Sequence, residues 1–308
     1  MWFRNARVFR FTKPFDISPE ALEEKLQAEA FKPCGPQETA RQGWVPPLGR
    51  DGELMVHSSN GYHLIALRKE EKILPGAVVK EAVEEKAEAI EQEQGRKVRR
   101  KEKDELKEQV MLEMLPRAFS KNRRCYAYLA PQDGILVVDA GSAKQAEDLA
   151  SALRKSIGSL PVRPLALQQA PAFTFTGWLN ESIDLPAQVE LGDECELKDP
   201  SEDGGVVRCK GLDLKADEIR NHLEAGMQVT RLSLTWDDNL SFVLDEELGI
   251  RRLKFGETLQ DQLDDMDSDD ALAKFDAAFT LMTLELSRMV PRLLEALGGE
   301  DRSAIIED

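Results

Sequence analysis

The run LPGAVVKEAVEEKAEAIEQEQGRKVRRKEKDELKEQVMLEMLP, from Leu74 to Pro116, decides the architecture. It carries no strand signal, yet strands read on both sides of it, over 62–68 before and 125–130 after. Pro75 sits where a first helical turn tolerates a missing N–H, and Val79, Val83, Ala87 and Ile90 then mark one helical face. A second helix reads from about Lys103 to Leu115 through Leu106, Val110 and Met114, and stops at Pro116. The spacing predicts a helical excursion that leaves a β-containing domain and returns to it.

Toward the N-terminus, Val8, Phe9 and Phe11 open a strand, and 19–30 carries Ala21, Leu22, Leu26 and Ala30 at helical period. The segments 53–59 and 62–68 flank Asn60-Gly61, a dipeptide that accepts positive φ and so signals a hairpin. Toward the C-terminus, 125–129 and 135–140 surround the turn Pro131-Gln132-Asp133-Gly134. Ser142-x-x-Gln145 opens a helix through Leu149 and Leu153, closed by Gly158, and 162–167 reads as a strand. After a stretch rich in Gln, Ala and Pro, short strands read over 205–210, 229–236, 240–244 and 250–255, with a short helix over 216–225. A last helix runs from about Asp269 to Leu297 with Pro291 inside it. The class is α+β: mixed sheets with helices, built as a central α+β domain (1–73 and 125–170), an inserted helical tip (74–124), and a C-terminal α+β base domain (171–308) ending in a long helix.

With 42% hydrophobic and 32% charged residues over 308 positions, the composition is globular. The net charge of −16 excludes a uniformly basic coat for nucleic acid or anionic lipid, so any phosphate-binding surface must be a local concentration of Lys and Arg. No apolar run approaches a membrane span, the first ten residues have no apolar signal region, and the four cysteines form no CxxC. A cytoplasmic protein with reduced thiols is expected, needing no cofactor.

Signatures of catalysis are sparse. No Gly-x-Ser-x-Gly, P-loop, GxGxxG or HExxH occurs, and His57, His63 and His222 stand apart. Cys195, Cys209 and His222 match no common zinc spacing, and isolated buried thiols are the plainer reading. Glu257, Asp261, Asp264, Asp265, Asp267, Asp269 and Asp270 place seven carboxylates in fourteen residues, resembling a metal-dependent nuclease cluster. A calcium loop is disfavoured because Asp270 stands where glycine is needed. An acidic solvated loop leading into the final helix accounts for the run, so neither a catalytic nor a metal site is assigned.

The basic counterpart is stronger. Between Arg96 and Arg124 stand eleven Lys/Arg (Arg96, Lys97, Arg99, Arg100, Lys101, Lys103, Lys107, Arg117, Lys121, Arg123 and Arg124) against five Asp/Glu, a net of +6 that leaves −22 for the rest. Immediately upstream, 81–94 holds six Glu against Lys86. Such segregation makes a charged edge where phosphates can lie. If helix runs through this stretch, Arg96, Arg100, Lys103 and Lys107 share one face; Gly95 is the residue that can break it. The patch lacks interleaved aromatics, so backbone contact is expected in preference to base reading. Phe119, in a loop after the helix and surrounded by cations, reads either as a core plug or as an exposed anchor for another chain.

Several phrases carry a resemblance: FKPCG (31–35), GWVPP (43–47), RKEEKILP (68–75), LPRAFS (115–120), RKSIGSLPV (154–162), EDGGVVR (202–208), NHLEAG (221–226) and EALGGE (295–300). In this order, across nearly the whole chain, they resemble the recombination-associated RdgC family of bacteria. The resemblance implies a homodimer closed into a ring that encircles duplex DNA with little sequence preference, with single-stranded DNA left open as a partner. It also implies nucleoid association, action near replication forks, and restraint of RecA-promoted recombination by occupying DNA. Phe119, within LPRAFS, resembles the aromatic residue of one dimer contact, and Lys210 resembles a basic position of the other half of the ring. Two rivals stand beside it: a metal-dependent nuclease using the 257–270 carboxylates, and an acidic DNA mimic that binds a recombinase directly.

Overall fold

The computed structural model describes residues 1–49, 52–201, 204–264, 270–303 and 305. Among them the fold is α+β, with eight α-helices and two sheets whose strands pair antiparallel. The chain groups into two compact units, one of 1–28, 46–65 and 125–308, the other of 29–45 and 66–124.

The larger unit contains β1 (Arg7–Phe11), which pairs with β6 (Ile135–Val138) on one side and β7 (Val162–Pro164) on the other. The Asn60-Gly61 hairpin joins β3 (Val56–Ser59) to β4 (Tyr62–Ile73), and both residues adopt the positive φ that the turn demands. α1 (Pro19–Ala28) buries Leu22 and Leu26. α4 (Ala143–Ile157) starts where expected, with the Ser142 hydroxyl accepting the Gln145 N–H. The second sheet has the order β12-β11-β10-β8-β9, from β8 (Val189–Lys198), β9 (Val206–Lys210), β10 (Gln228–Trp236), β11 (Leu240–Asp245) and β12 (Ile250–Phe255). Its inner face buries Leu197, Leu232, Leu234, Phe242 and Leu244 in one core with Phe3, Tyr128, Phe175 and Phe279. α8 (Ala271–Ala296) contributes Met282, Leu286 and Met289 to that core and carries Pro291 inside it.

A buried ion pair ties β1 to this sheet. Arg7 and Asp245 meet at 2.9 Å with both side chains almost sealed from solvent. Arg251 reaches the same Asp245 oxygen at 2.9 Å, and the other oxygen accepts the Gly249 N–H at 2.7 Å. Such a carboxylate is held by enough donors to compensate for its desolvation.

Beyond the hairpin, β4 and β5 (Phe119–Ala130) both cross from one unit into the other. In the smaller unit β2 (Ala40–Val45) pairs with the far half of β4. α2 (Gly76–Gln94) and α3 (Arg100–Met114) form the expected helical excursion, packed through Val79, Val83 and Val110 with Leu106 and Met114 beside them. Four elements went unread in the sequence: β2, β8, α5 (Pro171–Leu179) and α7 (Glu257–Asp264). α6 (Asp217–Glu224) occupies the expected short helix. No described helix is long and apolar enough to cross a membrane.

Candidate nucleic-acid interface

The basic segment begins where α2 ends. Gly95 takes φ 64° and donates its N–H to the Glu91 carbonyl, so the helix stops before the cations start. Val98 turns inward and is buried, with its N–H on the Glu91 carboxylate at 2.8 Å, which leaves Arg96, Lys97 and Arg99 projecting from a short exposed connection. The expected continuous stripe is therefore corrected. Arg96 lies outside α3, while Arg100, Lys103 and Lys107 recur at helical spacing on one exposed side, with Lys101 about 100° around the axis.

Arg96 is also the cation most firmly engaged. Its guanidinium forms a two-pronged pair with Glu102 at 2.6 and 2.9 Å. The same carboxylate accepts the Arg99 N–H at 2.8 Å, capping the first turn of α3. Arg96, and then the Arg99 N–H, hold the Glu102 carboxyl down at about 2. The sign is that of a depressed acid: this cap is fully present above the ordinary carboxylate range and is lost as pH falls toward 2.

A second correction concerns Phe119, expected in a loop. α3 closes with a 3-10 turn over Leu115–Arg117, and β5 starts at Phe119 itself. Its first six residues are all exposed, and alternation along the strand separates them. Phe119, Lys121 and Arg123 take one face; Glu71 is held below the ordinary carboxylate range chiefly by its hydrogen bond from Lys69, with Arg123 and Lys121 adding to it. Ser120, Asn122 and Arg124 take the other, where Arg68 donates two hydrogen bonds to Asn122 at 2.9 and 3.0 Å and stacks 4.3 Å over Phe31. Phe119 is 85% exposed, so of its two sequence readings the core plug is excluded. All eleven Lys/Arg from Arg96 to Arg124 are exposed, Arg117 included.

Lys210 belongs to the larger unit, at the end of the edge strand β9. The registers Glu194↔Lys210 and Glu196↔Arg208 make cross-strand ion pairs at 3.3 and 2.7 Å. Arg252 also pairs with Glu194, and Arg231 reaches Glu196 at 3.3 Å. The outer face of this sheet thus gathers Arg208, Lys210, Arg231 and Arg252 around two carboxylates. Arg252 and then Lys210 hold Glu194 below the ordinary range. At Glu196 partial burial pushes upward and is outweighed by Arg208 and Arg231. Of these only Lys210 is singled out in the sequence, through the family resemblance, because the four cations come from three strands, β9, β10 and β12. The one linear signal was the i, i+2 pair Arg208 and Lys210, too short to stand out.

The other candidates assemble no site among the described residues. Cys195 and Cys209 face each other across β8 and β9, with burial pushing the Cys195 thiol up to about 12. Of the acidic run, Glu257 and Asp261 lie on α7, Asp270 caps α8 through the Leu272 N–H, and Asp265, Asp267 and Asp269 lie outside the described residues. The described residues contain no group of three or more His, Cys, Asp or Glu able to hold a metal ion.

Comparison with known proteins covers almost the entire chain. A family model described as "Putative exonuclease, RdgC" matches residues 1–300. The recombination-associated protein RdgC of Aeromonas hydrophila is 53% identical over 303 residues, covering 98% of this chain and 100% of its own. Those of Tolumonas auensis and Pseudomonas paraeruginosa are 48% and 47% identical, each spanning 97–98% of this chain and 98–99% of their own. A full-length match to the family model, with relatives near half identity end to end, leaves one conclusion: this chain belongs to the RdgC family of recombination-associated proteins.

Proposed function

We propose that this protein binds duplex DNA without sequence preference, closes around it as a ring-shaped homodimer, and restrains RecA-promoted recombination by occupying the DNA. One observation carries the reading: every cation between Arg96 and Arg124 is solvent-exposed, in a chain whose remainder holds a charge of −22. Only a confined basic surface can meet phosphate on so acidic a protein, and the ring and the recombinase are what the family resemblance implies. The helical tip at 74–124 presents all eleven of these cations, and the central and base domains provide the rest of the ring. Arg and Lys without stacking aromatics favour phosphate over bases, so affinity comes from counterion release. Single-stranded DNA is bound by the same charge with a shallower salt dependence. The protein acts in the nucleoid.

The test is binding to random duplex, linear and covalently closed, across roughly 50–300 mM salt. If about six phosphates are neutralised, the log–log slope is near −5. Release from circles is expected to be slower than from linear ends, and a flat salt response overturns the proposal. Glu102 gives a finer test. Its carboxylate, held down at about 2, pairs with the Arg96 guanidinium at 2.6 Å and competes with phosphate for it. Glu102→Gln keeps an oxygen for the Arg99 N–H but frees the guanidinium, so DNA affinity should rise several-fold and the slope steepen by about one contact. An unchanged slope would place Arg96 away from DNA.

The family model's description favours a second reading, an exonuclease. Magnesium-dependent loss of end-labelled duplex would establish it, whereas full recovery of DNA after long incubation would remove it.

A further inference from the structure

Far along the chain from the cations, the larger unit contains a groove of about 1060 Å³, walled by α1, the segment before β3, β3 itself and the first turn of α8. This exceeds the roughly 300–1000 Å³ usual for small-molecule pockets. Its apolar lining includes Leu48, Val56, Leu54 and Leu272, and the last two are 62% and 48% exposed, well beyond what packing within the chain requires. Three of the lining carboxylates serve the fold, Asp270 among them as the cap of α8. Glu23 accepts the Met55 and Val56 N–H groups at 3.0 and 2.8 Å, and Asp276 pairs with His57 at 3.0 Å. Glu20, Glu24 and Glu53 also line the groove and are exposed to solvent, and no Lys or Arg lines it among the described residues.

We infer that this groove docks an amphipathic helix of a partner protein, one that presents leucine-type anchors at helical spacing and flanks them with Lys or Arg. The exposed leucines require an apolar face, and the carboxylates around them select cations and repel nucleic acid. A volume this large receives several side chains at once, as a helix at i, i+3, i+4 and i+7 would deliver them. The basic stretch of a second copy is the other cationic candidate. It does not offer anchors at the spacing of one helix, because Val98 and Leu106 pack inward and its exposed apolar side chains, Leu112 and Phe119, stand on two different elements, α3 and β5.

The test uses the full-length protein and a labelled synthetic helix of about 14 residues, with Leu at the anchor positions and Lys elsewhere, read by fluorescence anisotropy. Two controls replace Leu by Ser or Lys by Glu. The Leu/Lys helix should bind at least about tenfold tighter than either control, since each buried leucine contributes on that scale. Leu54→Ser/Leu272→Ser and Glu24→Lys/Glu53→Lys should each weaken it about tenfold while leaving duplex DNA affinity unchanged. These positions are exposed, so the variants remain folded, which an unaltered thermal melt verifies. Absence of binding, equal binding of the Lys/Ser control, or indifference to both double variants overturns the inference. So does a change in the protein's own sedimentation mass without loss of peptide binding, which would assign the groove to a second copy.

Discussion

Reversing four charges together, Arg99→Glu, Arg100→Glu, Lys121→Glu and Arg124→Glu, should lower affinity for random duplex DNA by at least about 10³-fold near 100 mM salt. Each lost phosphate contact removes about 0.9 from the log–log slope, and each new carboxylate adds repulsion to what remains. All four side chains are exposed, so the melting transition should stay within about 0.5 kcal/mol of the parent. The same variant separates occupation of DNA from the rival in which an acidic surface mimics DNA and binds the recombinase. Under occupation, inhibition of RecA-promoted strand exchange is lost with DNA binding. Under mimicry, inhibition survives the reversals. The geometry of β5 adds a sharper comparison. Lys121 and Arg124 stand on opposite faces of the strand, so DNA lying along one face makes the two single reversals unequal. Equal effects would require a surface that reaches both faces.

That geometry also marks where sequence reading stopped. The helical excursion was legible because Val79, Val83, Ala87 and then Leu106 and Val110 repeat at a period only a helix satisfies, and Gly95 marks their break. The start of β5 was not, since Phe119 through Arg124 are all exposed and no buried face imposes an alternation. β2 hides for a related reason. Its Ala-Arg-Gln-Gly start has low strand propensity, and Gly43 is there because a Cβ would stand 2.5 Å from the Phe31 Cα. α5 hides for the opposite one. PAFTFTGWL is apolar almost all round, with Phe175 and Trp178 sealed in the core, so it offers no polar face from which to read a period.

The site divides in the same way. A contiguous run of cations announces itself in any window, whereas Arg208, Arg231 and Arg252 converge only once β9, β10 and β12 are placed in register around β8. Folding also subtracts charge that sequence counts in full: Arg96, counted as a free cation, spends its guanidinium on Glu102. Net charge therefore marks a candidate region, while pairing decides how much of it would remain available to phosphate.

Phe119→Ala is expected to weaken self-association about 30- to 1000-fold, the cost of about 2–4 kcal/mol typical of removing an aromatic anchor from an interface. The argument starts from the monomer. A phenylalanine 85% exposed contributes little to its own fold, so the alanine variant should melt as the parent does. Large apolar side chains held in the open by a strand are stable in water but leave apolar area unburied, and a partner surface that covers Phe119 recovers it. Its neighbours on the strand face, Lys121 and Arg123, place cations beside Phe119, so under the proposed ring closure and phosphate binding would share one edge. Sedimentation at falling concentration should show the variant as monomer where the parent is still dimer. DNA binding then changes in a particular way: the salt slope per monomer stays the same, because no cation has been removed, but the slow release from closed circles is lost. A variant that keeps its dimer mass at the lowest concentrations, or that dissociates while retaining slow release, removes Phe119 from the closing contact and leaves the ring to be sought at the edge of β9.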